Sequence, residues 1–195
     1  MHGITSIRSF RELPRIFWGE VAPREHLLQF YDDDVELLDA LEGFVVDGLA
    51  AGEGVIVIAS RAHREGLRDR IEPRGIVVDA LIHKGRYLEL DADETLSTFM
   101  VDGWPDEERF RGLLRHLLQR ARGDGRPVRA FGEMVVTLWM QENDAATVRL
   151  EQLWSALCEE EELAMLCAYP RVGLARGSPG AMNDILSAHS KLVAG

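Results

Sequence analysis

Val55-Ile56-Val57-Ile58-Ala59 is a continuous apolar run of strand length, and four of its five residues are β-branched. Such a run suits the centre of a parallel sheet covered on both faces. Upstream, Gly52-Glu53-Gly54 stops a helix whose apolar face is Val35, Leu38, Leu41, Val45 and Leu49, widened by Leu37 and Phe44. Asp32-Asp33-Asp34 supplies that helix with an N-cap and a negatively charged first turn. Before it, His26 to Tyr31 predicts a buried strand. Downstream, Arg61 to Glu72 predicts a second helix, closed by Pro73 and Gly75.

The alternation continues to the end of the chain. Ile76-Val77-Val78 and Tyr87-Leu88-Glu89-Leu90 predict short strands, and Asp91 to Met100 a short helix. Trp104-Pro105 is expected to open a helix running to Ala121, since proline suits a first helical turn. Val128 to Val135 predicts a strand. Asn143 or Asp144 then caps a helix through Glu160, with Val148, Leu150, Leu153, Trp154 and Leu157 as its stripe. Leu163 to Tyr169 predicts the next strand, and Ser178-Pro179 starts a last helix ending near His189. The expected architecture is an α/β three-layer sandwich with a mainly parallel central sheet. It occupies residues 25–195, behind an amphipathic arm at 1–24 with Ile4, Ile7, Phe10, Leu13 and Phe17 on one side. The arm either packs on the domain's own surface or docks a partner.

The chain has 195 residues, 33 acidic and 22 basic, for a formal net charge of -11. Phosphate backbones and anionic lipid repel such a protein, and no basic patch offsets this, so neither nucleic acid nor membrane is expected as a partner. No apolar run approaches the ~20 residues of a membrane span. No basic-then-apolar leader opens the sequence, so a cytoplasmic location is expected. Cys158 and Cys167 suggest no disulfide framework.

In a sheet of this kind, ligands bind beyond the carboxyl ends of the strands. Tyr31, Asp32, Ser60, Arg61, Glu133 and Tyr169 fall there. Asp32 and Ser60 could equally be helix caps. Glu133 ends an apolar strand, where a carboxylate is costly unless paired or solvated in a cleft; Arg129 and Arg61 are its expected partners if the role is structural. Glu151 lies in the Val148–Leu157 stripe, either solvated at its edge or aimed into the Glu133 cleft. His26 starts a strand, ~17 Å of chain from Tyr31. A His26–Cys167–Glu133 metal site is therefore not expected. Nor does any His-x-His, Cys-x-x-Cys or His-Glu-x-x-His spacing occur, so no metal and no cofactor are predicted. Cys167 reads as an inert small hydrophobe in a buried strand. No nucleophile elbow is present.

A phosphate-cradling loop needs glycines and a lysine. After the first strand this chain has Phe30-Tyr31-Asp32-Asp33-Asp34, with neither glycine nor lysine and with three carboxylates. Conventional ATP binding is disfavoured there.

Five segments together resemble the MEDS domain, the DcmR-like sensory domain. They are His26-Leu27-Leu28-Gln29-Phe30-Tyr31, Gly48-Leu49-Ala50-Ala51-Gly52-Glu53-Gly54, Phe131-Gly132-Glu133-Met134, Glu151-Gln152-Leu153-Trp154 and Cys167-Ala168-Tyr169. The glycine-rich segment before a strand is also similar to KaiC and RecA-like ATPases. The resemblance implies a RecA/KaiC-like fold with the phosphate loop replaced by residues 31–34, and Glu133 near the acidic end of the Walker B strand. It also implies a non-catalytic sensory domain for simple hydrocarbon derivatives. On that reading a small-molecule ligand contacts Tyr31, Asp32, Ser60, Arg61, Glu133 and Tyr169, with Glu151 behind them. The output is a signalling or regulatory protein partner, a transcriptional response or a homodimer. The rival expectations are an atypical NTPase that meets phosphate with Arg61, and a pure protein-interaction scaffold.

Overall fold

The structure, a computed structural model, describes residues 18–174 and 177–193. The arm expected at 1–24 therefore falls largely outside the described residues. The elements are β1 His26–Tyr31, α1 Asp34–Ala50, β2 Gly54–Ala59, α2 Arg61–Ile71, α3 Val78–His83, β3 Tyr87–Asp91 and α4 Ala92–Phe99. The two-residue strands β4 Met100–Val101 and β5 Trp104–Pro105 follow, then α5 Glu107–Arg122, β6 Val128–Gly132, α6 Met134–Met140, α7 Asp144–Glu161, β7 Ala164–Pro170, α8 Pro179–Ala188 and β8 Lys191–Val193.

Six strands form one sheet in the order β3-β2-β6-β7-β1-β8. Every pairing in it is parallel. Strand alternation sorts the core into two layers. Leu27, Val55, Val57 and Leu166 pack on α1, α2 and α3. Leu28, Ile56, Ile58, Met165 and Cys167 pack on the layer built from α4 to α8. Among the described residues no helix is long and apolar enough to cross a membrane.

Several boundaries differ from expectation, each for a local reason. Ile76 and Val77 form no strand, and Val78 instead opens α3. Trp104-Pro105 pairs back on Met100-Val101 as a small antiparallel ribbon, so α5 starts two residues later on the Asp106 cap. The apolar run from Val128 stops being strand at Gly132, and Met134 to Met140 is helical. The edge strand β8 is only three residues long and carries no periodic signal.

The glycine-rich turn before β2 has a packing explanation. Arg129 of β6 is 1% exposed, and it runs under α1 to pair with Glu53. Its Nη1 donates to the Phe44 and Trp18 carbonyls at 2.9 and 3.2 Å. A Cβ at Gly48 would stand 2.5 Å from the Arg129 side chain, and one at Gly54 would stand 2.3 Å from the Ala121 carbonyl oxygen.

Candidate functional site

The carboxyl rim is organised around Glu133. Its backbone N–H donates to the Ile58 carbonyl at 2.9 Å, which continues the β6–β2 ladder by one residue and fixes the side chain beside the end of β2. Glu133 Oε2 accepts the Ser60 N–H at 2.5 Å, and Oε1 meets His63 Nδ1 in a short contact. The second ring nitrogen of His63, Nε2, lies 3.3 Å from Asp34 Oδ1. One imidazole thus joins α2 to the start of α6 and the head of α1. Its hydrogen bond to Glu133 raises the His63 pKa, against the lowering effect of burial and with help from Asp34. Tyr31 is buried beside this group. Desolvation, then the charges of Glu133 and Asp34, raise its hydroxyl pKa.

The head of α1 closes on itself. The Asp33 side chain accepts the Glu36 N–H at 2.9 Å, and Glu36 Oε2 accepts the Asp32 N–H at 2.6 Å. This is a reciprocal capping arrangement. Two amides at this helix head, those of Asp32 and Glu36, are taken by the chain's own carboxylates. Asp32 Oδ1 lies 3.3 Å from Arg171 Nε.

Next to the Glu133 group, a cleft of about 650 Å³ opens at the ends of β2 and β3. Arg61, Arg64, Glu89, Asp91 and Glu94 give it charge, and Leu90 and Leu113 give it an apolar part. Arg64 is held in place by Asp91 at 2.9 Å and by the Ala59 carbonyl at 3.1 Å.

The structure brings together Tyr31, Ser60 and Glu133 of the predicted residues. Ser60 also caps α2, accepting the His63 N–H at 3.3 Å. Asp32 stands at the rim but engages Arg171, and Arg61 lines the cleft while pairing with Glu65. Glu133 pairs with neither Arg129 nor Arg61. His63 was missed, although its place in the first turn after β2 puts it at the rim. Glu151 and Tyr169 do not share this site. Glu151 is neither solvated nor aimed at Glu133: it is wholly buried between α7 and the sheet.

The surroundings of Glu151 form a second group of functional side chains. Tyr169 donates its hydroxyl to Glu151 Oε1 at 2.5 Å. His26 Nε2 and His189 Nε2 each lie 3.4 Å from Glu151 Oε2, and Cys167 Sγ lies 3.5 Å from it. His26 Nε2 and Cys167 Sγ are 3.4 Å apart. The Nδ1 atoms of His26 and His189 donate to the Ala188 and Ile185 carbonyls at 2.9 and 2.7 Å. Parallel register explains the meeting: His26 sits opposite Met165 and Leu28 opposite Cys167, so His26 and Cys167 project from the same sheet face. Burial and the nearby Glu151 push the Cys167 thiol and the Tyr169 hydroxyl well up.

The family described as MEDS, the MEthanogen/methylotroph, DcmR Sensory domain, matches residues 25–190. No curated protein matches the chain. Among solved structures, a Pyrococcus horikoshii OT3 protein described as the subject of a structural study superposes with a TM-score of 0.60 at 10% identity, covering 91% of this chain and 85% of its own. A KaiC-like protein from the same hyperthermophilic archaeon superposes with a TM-score of 0.60 at 10% identity, covering 93% of this chain and 80% of its own. At such identity the likeness is one of fold.

Proposed function

We propose, for a chain that belongs to the MEDS family of sensory domains, that it binds a small organic ligand at the carboxyl rim and carries out no catalysis. The ligand class is that of simple hydrocarbon derivatives, seated in the cleft between α2, β3 and α4. Arg61 and Arg64 supply polar anchors, and Leu90 and Leu113 the apolar contact. Its volume falls within the ~300–1,000 Å³ usual for small-molecule sites. The observation that carries the non-nucleotide reading is the head of α1, where the Asp33 and Glu36 carboxylates accept the Glu36 and Asp32 N–H groups and set negative charge at the helix N-terminus.

A ligand shifts a conformational equilibrium only by its differential affinity for two states. Here the element to be biased is the His63 bridge, which ties α2 to Glu133 and Asp34. A ligand pressing on α2 alters that bridge and so the helical face offered to a regulatory partner or a second copy.

The test is thermal shift against a panel of small organic molecules, with Mg-ATP as a separate arm. A ligand at about 100 times its Kd raises the melting temperature of a chain this size by roughly 5–10 °C. Arg61→Ala and Arg64→Ala, at two residues that line the cleft, are expected to blunt that response. Equal responses from wild type and both variants, or a saturable shift with Mg-ATP, overturn the proposal.

A further inference from the structure

The group around Glu151 has the geometry of a metal site. Four donor atoms converge: His26 Nε2, His189 Nε2, Cys167 Sγ and a Glu151 oxygen, all within 4.8 Å of one another. They come from β1, the α8–β8 junction, β7 and α7, so no spacing motif could announce them.

The distances separate coordination from hydrogen bonding. A charge-assisted bond between imidazolium and carboxylate closes to about 2.7–2.9 Å. Here both imidazole nitrogens stand off from Glu151 Oε2 at 3.4 Å. Bonds of about 2.0–2.1 Å to nitrogen or oxygen and about 2.3 Å to sulfur give a tetrahedral zinc site edges of roughly 3.3–3.6 Å. Four of the six edges, 3.4, 3.4, 3.4 and 3.5 Å, lie in that interval, and the two from His189 Nε2 to His26 Nε2 and Cys167 Sγ are within 4.8 Å, close enough for a small side-chain adjustment to complete the tetrahedron.

Tautomers point the same way. Each Nδ1–H is already given to a backbone carbonyl. A neutral imidazole in that tautomer offers a lone pair at Nε2; that of His26 has the Cys167 thiol at 3.4 Å, whereas that of His189 faces a carboxylate oxygen that has no hydrogen to give. His189 Nε2 is buried without a hydrogen-bond partner. Protonating both rings instead would place two cations with ring centroids 3.9 Å apart in a buried pocket. A divalent ion removes the conflict. It accepts both lone pairs, and with one thiolate and one carboxylate the site sums to zero charge, which suits burial. The outer contacts are also of the metal-site kind: Tyr169 holds the other Glu151 oxygen, and backbone carbonyls hold the imidazoles.

We propose that His26, Glu151, Cys167 and His189 bind one zinc-class divalent ion in a four-coordinate structural site. The inference goes beyond the rim reading and shares no residue with the Glu133 group. Binding releases the Cys167 thiol proton to solvent, leaving the thiolate as ligand. With all four positions supplied by protein, the site is a staple. It pins the α8–β8 segment to β1, β7 and α7.

The experiment is cobalt substitution of the purified full chain after removal of metal with a chelator. Wild type is expected to take up one Co²⁺ per chain, with intense tetrahedral visible bands and a thiolate-to-cobalt charge-transfer band, and to gain thermal stability with Zn²⁺. Cys167→Ser abolishes the charge-transfer band, and Cys158→Ser keeps it. His189→Ala weakens uptake by at least about tenfold. If a ligand variant fails to fold, the wild-type spectrum alone still decides. Octahedral cobalt bands, no saturable uptake, or uptake indifferent to Cys167→Ser overturns the proposal.

Discussion

Glu53→Gln removes the partner of a guanidinium that is 1% exposed, and its cost can be worked from the contacts. In the native chain Arg129 has one carboxylate, two backbone carbonyls and the face of the Phe44 ring, 5.0 Å away. The amide keeps the shape and one acceptor but removes the negative charge. The buried cation then retains neutral acceptors alone. Breaking a buried pair from one side costs about 3–5 kcal/mol. Glu53 is partly solvated, and the remaining carbonyls hold the guanidinium, so the lower end, about 3 kcal/mol, is expected. Against a typical domain stability of about 5–15 kcal/mol, that shifts the urea midpoint clearly. The companion variant tests the cause. Adding Arg129→Met to Glu53→Gln removes the stranded charge, and the double variant is expected to be more stable than Glu53→Gln alone. Equilibrium urea unfolding of the wild type, both single variants and the double variant measures this. A Glu53→Gln loss below about 1 kcal/mol, within the range of an exposed ion pair, refutes the reasoning. So does a double variant less stable than Glu53→Gln.

Two further predictions concern the rim and the glycine-rich turn. The His63 ring, followed by NMR, is expected to titrate above an ordinary histidine, and Glu133→Gln should bring it back down; equal titration in both proteins refutes the bridge. The sign for stability follows. Because the folded pKa is raised, the His63 contribution is complete below the ordinary histidine pKa and fades as pH rises through the raised value. Glu133 and Asp34 are the carboxylates bonded to the ring, and Asp34 is the exposed one, so Asp34→Asn should move the titration less. Gly54→Ala sets a Cβ against the Ala121 backbone carbonyl and should cost about 1–3 kcal/mol in urea unfolding, with a neutral outcome showing that α5 yields.

The layered fold was legible because its strands are long apolar runs and its helices carry good caps. Asp33, Ser60, Asp106, Asn143 and Ser178 each accept a first-turn N–H. The short helix α6 was hidden because the largely apolar segment from Val128 to Val135, interrupted only by Arg129 and Glu133, runs on into Val136, Leu138 and Trp139 with no period that marks where β6 ends. The rim was partly legible, since strand ends place Tyr31, Ser60 and Glu133 by topology alone. Tyr169 was misplaced because the strand-end rule ignores facing. Two-residue alternation puts Cys167 and Tyr169 on one side of β7, and His26 on the same side of β1, under α7. Glu151 then follows from the helix stripe. His189 could not be read, since its position depends on β8, a three-residue edge strand visible only by its pairing with β1.

The acidic run at the head of α1 bears on whether a phosphate can bind there. A helix N-terminus favours a phosphate by up to about 2 kcal/mol through its dipole. Like charges at ~4 Å oppose one another by about 4 kcal/mol per pair at an effective dielectric near 20. Asp34 and Glu36 sit in that first turn, Asp33 caps it and Asp32 precedes the cap; the Asp33 carboxylate accepts the Glu36 N–H and the Glu36 carboxylate accepts the Asp32 N–H. A phosphate binding there would compete with those two hydrogen bonds and meet carboxylate charge, so repulsion opposes the dipole. The same carboxylates are consistent with a cation: Asp34 faces the His63 ring and Asp32 faces Arg171. His63 thus couples α1, α2 and α6 at the rim through its contacts with Asp34 and Glu133.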